Sequence, residues 1–140
     1  MPDTIDIRVY YEDTDCGGVV YYGKYLAFLE RARTDFMEKR GINILKLMNE
    51  GTYFVVVSVE IRYHKPARYS DIITIQTEIE EISPATITFA HKFYLKDTQT
   101  KIATAKSRLA TVGFQSDKTD IKPKKISKDL IEALKTEALL

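Results

Sequence analysis

From Tyr53 to Phe114 the chain passes through four strand-length segments joined by short breaks, and this run limits the fold more than any other feature. The segments are Tyr53–Tyr63, Ile72–Glu81, Thr86–Leu95 and Lys101–Phe114. In the first, Val55, Val57, Val59 and Ile61 alternate with Val56, Ser58, Glu60 and Arg62, the two-residue period of a half-buried strand. Ile73, Ile75 and Ile79 share a face in the second, and Ile87, Phe89 and Phe93 share one in the third. Ala103, Ala105 and Ser107 keep one face of the fourth low enough for a helix to lie on it. Ser83-Pro84 and Asp97-Thr98 read as hairpin turns. Strands joined by such short turns pair antiparallel, because parallel neighbours need a long crossover.

One strand and one long helix precede this run. Ile5, Ile7, Val9 and Tyr11 fall on one side of an extended segment, and Asp6, Arg8, Tyr10 and Glu12 on the other. The following EDTDCGG stretch is a turn signal. From Tyr22 to Arg40, apolar Tyr25, Phe28, Leu29, Ala32 and Phe36 recur at three- and four-residue spacing, which makes a helical stripe. Such a helix extends roughly 28 Å. Asp35 and Lys39 are spaced for an i,i+4 pair. Lys39 and Arg40 suit the helix C-terminus, and Gly41 suits the C′ position. Ile44, Leu45, Leu47 and Met48 suggest a short second helix ending near Gly51. Beyond Phe114, Ser116–Lys125 is polar and contains Pro123. Ser127 can N-cap a last helix whose packed face is Leu130, Ile131, Leu134 and Ala138. This order predicts an α+β domain over 1–140, a five-stranded antiparallel sheet with the long helix covering one face.

A chain of 140 residues buries roughly 70% of its unfolded surface and needs no disulfide. Its single cysteine, Cys16, could form none within the chain. Twenty-one Lys and Arg against 20 Asp and Glu leave a net charge of +1, so no overall field favours nucleic acid. No apolar run approaches the ~20 residues of a membrane span. The N-terminus has neither the basic nor the apolar part of a secretory signal, so a cytoplasmic protein is expected. No Gly-rich phosphate loop occurs. His64 and His91 lack metal-ligand spacing to each other or to Cys16. His64 is expected at a strand end and His91 on a sheet face, and no metal site is expected. Cys16 has no histidine near in sequence to activate it.

Chemistry concentrates where the first strand ends. Glu12, Asp13 and Asp15 crowd three carboxylates into four residues, Gly17 and Gly18 follow, and the long helix then begins. Crowding and burial both favour the protonated carboxyl. A helix N-terminus offers free backbone N–H groups and the positive end of the dipole, which suits an acyl-transfer oxyanion. The same residues also fit an Asp-rich turn whose side chains bond nearby N–H groups.

The stretch Tyr10 to Arg33, YYEDTDCGGVVYYGKYLAFLERAR, resembles the 4-hydroxybenzoyl-CoA thioesterase family of hotdog proteins, above all its branch of short-chain acyl-CoA thioesterases associated with the Tol-Pal system. The pattern consists of Asp13-Thr14-Asp15, Gly18-Val19-Val20-Tyr21, Tyr25 and Glu30-Arg31-Ala32-Arg33. The segment Arg62-Tyr63-His64-Lys65-Pro66-Ala67-Arg68-Tyr69-Ser70-Asp71 is also family-like. The resemblance implies a hotdog fold, with the sheet wrapped around a central helix, and hydrolysis of a short-chain or aromatic acyl-CoA, or of an acyl carrier protein thioester. It makes Asp15 the nucleophile or general base, and places the oxyanion site at the backbone N–H near Tyr22. Many members of the nearer branch carry His where this chain has Tyr22, so no imidazole role carries over. Family likeness also places Val57 and Ser58 by the acyl pocket.

Tyr11 and Tyr22 are further pocket candidates, with Gly18 and Val19 of the turn beside the substrate. The phosphates of coenzyme A call for cations, for which Lys65, Arg68, Lys92, Lys106 and Arg108 are available. Glu30 is expected to bond a neighbouring arginine. No cofactor is needed for the reaction. The long, proline-free last strand, Lys101–Phe114, is suited to pairing at an edge, and the resemblance to hotdog proteins, which join two sheets with the active sites at the subunit boundary, implies a homodimer, or a tetramer made by doubling it, with Asp15 of one subunit facing Val57 or Ser58 of the other. The alternative is a non-catalytic acyl- or protein-binding module on the same fold, since fold alone does not fix chemistry.

Overall fold

The computed structural model describes residues 3–114 and 121–137. Ala138 of the expected last helix, and residues 116–120 of the polar segment, lie outside them. The chain runs through β1 (Asp3–Arg8), a 3-10 turn (Tyr11–Asp13), α1 (Lys24–Glu38) and α2 (Ile44–Asn49), then β2 (Tyr53–Tyr63), β3 (Ile72–Ile82), β4 (Thr86–Leu95) and β5 (Lys101–Phe114), and ends with β6 (Ile121–Pro123) and α3 (Lys128–Lys135). The strands form one antiparallel sheet in the order β1-β3-β4-β5-β2, with β6 added beside β5.

Three expectations are corrected. The sheet has six strands rather than five, because Ile121–Pro123 pairs with Val112–Phe114. Its three residues, ending in proline, carry too little alternation to read as a strand. The last long strand is not an edge: β5 lies between β4 and β2, and the free edges belong to β1 and β2. The α1 helix is also shorter than expected, 15 residues from Lys24, because Tyr21–Gly23 form a turn. At its far end Gly41, at φ 76°, takes the left-handed conformation and turns the chain toward α2.

One face of the sheet carries the core. Tyr25, Phe28, Leu29 and Ala32 of α1 cluster with Ile73, Ile75, Phe93, Ala103 and Ala105 of the sheet. Phe36 and Met37 continue into a second cluster with Ile87, Phe89 and Leu109, closed by Leu130 and Leu134 of α3. The low face of Ala103, Ala105 and Ser107 is fully used, as all three are buried. Asp35 and Lys39 make the expected pair at 2.8 Å. Ser127 Oγ accepts from the Leu130 N–H at 3.1 Å, which caps α3. Glu30 makes no ion pair among the described residues, but its charge favours the guanidinium of buried Arg33 against the effect of burial.

The alternation in β2 is interrupted. Val56 pairs with Leu109 and Ser58 with Arg108, so Val57 is a bulge with no partner across the pair. The inward residues are therefore Phe54 before the bulge and Val59 and Ile61 after it, on opposite parities. A strict two-residue count runs through the extra residue and groups Val55 and Val57 wrongly with Val59.

His91 lies on the inner face, as expected for a sheet residue. Its Nδ1 is 3.1 Å from Thr77 Oγ1 and its Nε2 is 2.9 Å from Ser107 Oγ. Burial, with the charge of Arg33, holds its pKa down to about 3. The imidazole is neutral in the folded chain, whereas the unfolded chain protonates it near pH ~6.5. Between these values the unfolded state binds more protons, so stability is fully present above pH ~6.5 and falls on acidification, by up to about 1.4 kcal/mol per pH unit. Urea unfolding at pH 7 and pH 5 should show this loss, and a His91→Gln protein should lack this part of it. An equal acid loss in the variant would assign the effect to other groups.

Candidate active site

The carboxylate-rich segment folds into a small hairpin. Asp15 N–H donates to the Val19 carbonyl at 2.9 Å, and Tyr21 N–H donates to the Asp13 carbonyl at 2.9 Å. Thr14 and Val20 bridge between them. The tip closes with Gly18 N–H donating to the Asp15 carbonyl at 3.1 Å, and Gly18 sits at φ 81°, where a side chain is strained. The hairpin is tied to the loop between β2 and β3, where Val20 N–H donates to the Ala67 carbonyl at 2.8 Å and Val19 bridges Arg68.

Three neighbouring carboxylates thus receive different environments. Asp13 is only 5% exposed. Its Oδ2 accepts from Tyr10 N–H at 2.9 Å and its Oδ1 pairs with Lys24 Nζ at 3.2 Å, so it anchors the hairpin to α1. Asp15 is exposed at the tip, and its Oδ1 accepts from Gly17 N–H at 2.8 Å. Its Oδ2 has no hydrogen-bond partner among the described residues, and Glu12 is exposed. Asp13 and one oxygen of Asp15 thus hold the turn, and the other oxygen of Asp15 has no partner among the described residues. Within the single chain Asp15 is not buried.

The second strand of this hairpin leads straight into α1. The Lys24, Tyr25 and Leu26 amides donate to Tyr21, Tyr22 and Gly23 carbonyls at 2.9, 3.3 and 3.2 Å. This leaves the amides of Tyr22 and Gly23 with no partner among the described residues. Two N–H donors at the positive end of α1 are thus covalently continuous with the strand that pairs with Asp15. Tyr22 is largely exposed and stacks obliquely on Tyr21, with centroids 4.8 Å apart.

The other expected residues fall in three places. Tyr11 leaves the alternation of β1, sits in the 3-10 turn at 81% exposure, and meets Tyr69 edge-on at 6.2 Å. Lys65 and Arg68 are exposed on the loop that pairs with the hairpin, where Arg68 N–H donates to Asp71 Oδ2 at 2.8 Å. Val57 and Ser58 are exposed on the free β2 edge, with no hydrogen bond or ion pair to the hairpin. Lys92 faces the opposite side of the sheet from α1, in a trough of about 620 Å³ with Glu60, Arg62, Gln76, Glu78 and Lys106. Lys106 is there paired with Glu80 at 3.0 Å, and Arg108 reaches Thr86 Oγ1 at 3.5 Å. The cation candidates therefore form two separate groups rather than one. His64 follows β2 and reaches Thr104 Oγ1 at 3.3 Å, as expected for a strand end. Cys16 is exposed, and no group of described residues could hold a metal ion.

Sequence reasoning missed Tyr63. Its hydroxyl donates to the Tyr22 carbonyl at 3.0 Å across 41 positions, a contact that no local pattern announces.

An antiparallel sheet with a helix packed on one face, and an acidic hairpin feeding that helix, is the hotdog thioesterase fold. Residues 9–134 match the thioesterase-like superfamily, and the chain belongs to that family. The acyl-CoA thioesterase YbgC of Haemophilus influenzae is 38% identical over 108 residues, 76% of this chain and 79% of that protein. The acyl-CoA thioester hydrolase YbgC of Escherichia coli O157:H7 is 44% identical over 86 residues, 61% of this chain and 64% of its own length, so less than two thirds of that relative is spanned. A crystal structure of a hypothetical protein from Aquifex aeolicus superposes with a TM-score of 0.86 at 27% identity, covering 96% of this chain and 100% of that one. A 4-hydroxybenzoyl-CoA thioesterase bound to 4-hydroxybenzoyl-CoA gives a TM-score of 0.85 at 20% identity, over 94% and 97%, a likeness of fold.

Proposed function

We propose that this chain hydrolyses the thioester of a short-chain or aromatic acyl-CoA, with Asp15 as nucleophile or general base and the Tyr22 and Gly23 amides as oxyanion donors. The observation that carries this reading is that one Asp15 carboxylate oxygen and the Tyr22 and Gly23 amides, on the hairpin and the turn that follows it, have no hydrogen-bond partner among the described residues. The thioester carbonyl becomes an oxyanion when attacked, and donors fixed in advance stabilise that charge without reorganising. Asp15 then either attacks the carbonyl, which gives an anhydride that water cleaves, or removes a proton from the attacking water. Both routes release the acid and free coenzyme A. The acyl-CoA names of the relatives support the substrate class, and an acyl carrier protein thioester offers the same reacting bond.

Lys65 and Arg68, on the loop bonded to the hairpin, are the cations best placed for coenzyme A phosphates, and Lys92 belongs to a second surface. Gly18 and Val19 adjoin Asp15 in the hairpin, and exposed Tyr11 of the preceding 3-10 turn is the further candidate for the approach to it. Mass spectrometry of products from acetyl-, butyryl- and benzoyl-CoA tests the assignment. Free acid and coenzyme A are expected in equal amounts, and binding without cleavage would instead favour an acyl-binding module.

If Tyr22 acts through its N–H, Tyr22→Phe should change kcat less than about threefold, since the backbone donor is untouched. Steady-state kinetics on the best acyl-CoA of the series would check this. A loss of 10²-fold, the size expected for removing an oxyanion donor, would make the phenol the working group.

The free β2 edge is the surface on which a second copy completes the site. It carries no proline, and Val56 and Val57 stand 49% and 52% exposed along it. An isologous pair would set the same edge against itself and continue the sheet into the partner. Asp15, exposed in the single chain, would then meet Val57 or Ser58 of that second copy and lose solvent on one side. Doubling of this dimer gives the tetramer.

A further inference from the structure

We infer that Tyr63 is a positioning residue, whose hydroxyl fixes the Tyr22–Gly23 peptide plane and thereby aims the Gly23 N–H at the thioester oxygen. The inference rests on the oxyanion role proposed above for that amide. The carbonyl of Tyr22 and the N–H of Gly23 belong to one planar trans peptide, so they point in opposite directions and turn together. Holding the carbonyl therefore holds the donor. Tyr63 Oη reaches that carbonyl at 3.0 Å, closer than the helix's own Tyr25 N–H at 3.3 Å.

The anchor is itself fixed from the core outward. The Tyr63 ring meets Tyr25 edge-on, with centroids 5.1 Å apart, and buried Tyr25 packs against Phe28 and Phe93 at 6.0 and 5.4 Å. The Tyr21 ring lies beside Gly23. A Cβ at Gly23 would lie 2.7 Å from Tyr21 Cε2. Gly23 has ordinary helical angles, φ −67° and ψ −19°, so a side chain there would displace the exposed Tyr21 ring without straining the backbone. Partial burial and the nearby Tyr22 phenol both push the pKa of Tyr63 up from its ordinary value.

Tyr63→Phe keeps the ring and removes only the hydroxyl. The expected result is a fall in kcat of roughly tenfold, less than the loss of a donor outright, with KM moved by less than about twofold. A spectroscopic arm separates aim from fold. Benzoyl-CoA labelled with ¹³C at the carbonyl is bound to Asp15→Asn protein, and the infrared carbonyl stretch is compared with that in Asp15→Asn/Tyr63→Phe protein. The stretch should move back toward its free-solution frequency when the hydroxyl is gone. Unchanged kcat, or a fall in kcat with a lowered Tm and an unmoved stretch, would overturn the positioning role and leave the hydrolase reading standing. A wild-type protein that cleaves no acyl-CoA would overturn both.

Discussion

Asp15→Asn is expected to lower kcat by roughly 10²-fold or more, within the range for removing a positioned acid–base group, while the protein folds as before. The geometry makes this a clean substitution. The Asp15 oxygen used by the turn accepts from Gly17 N–H at 2.8 Å, and an amide oxygen can accept the same bond. Asp15 is exposed in the single chain, so the substitution does not disturb the packing of the fold. What is lost is the negative oxygen that has no structural task. Circular dichroism and thermal unfolding should match the wild type, and rates at saturating acyl-CoA should not. Near-wild-type turnover by a folded Asp15→Asn protein would remove Asp15 from the mechanism. The neighbouring carboxylate cannot serve as a substitute, because Asp13 is committed to Tyr10 N–H and to Lys24.

Placing charge on the β2 edge should separate the subunits and cost activity together. In Val56→Glu/Val57→Glu protein, the two-fold pairing proposed above would bring the new carboxylates of both copies to one seam, and charged residues on an edge strand block pairing. Light scattering should report a single-chain mass, against at least a dimer for the wild type. Hydrolysis should fall by roughly 10²-fold, the cost of a reacting group displaced by about an ångström. Neither valine belongs to a core cluster, so the monomer should remain folded. A wild type that is monomeric and fully active across a dilution series would contradict the shared site, whatever the fate of the hydrolase assignment.

Much of the fold was legible in the residues. The strands Tyr53–Tyr63, Thr86–Leu95 and Lys101–Phe114 end where the alternation and the turn residues place them. The helical stripe from Tyr25 to Phe36 is buried throughout. These features are local, written in periods of two and of three to four residues. The failures have a different origin. The Val57 bulge inserts one residue without changing the apolar character of β2, so periodicity cannot detect it. The order of strands depends on pairings across the chain, and β5 became interior because β2 returns to its outer side. Tyr63 and Tyr22 meet only through that return. The motif makes Asp15 a candidate, but that Asp13 is buried and Asp15 exposed could be known only from the fold.

Whether this chain cleaves acyl-CoA thioesters is decided by continuous measurement of free-thiol release. Purified wild-type protein is mixed with excess acetyl-, butyryl- or benzoyl-CoA and a thiol-trapping dye. Many equivalents of thiol per subunit should appear from at least one of them, at a rate proportional to enzyme at fixed assembly state. Saturable binding of all three with no thiol released above the background rate would contradict the account.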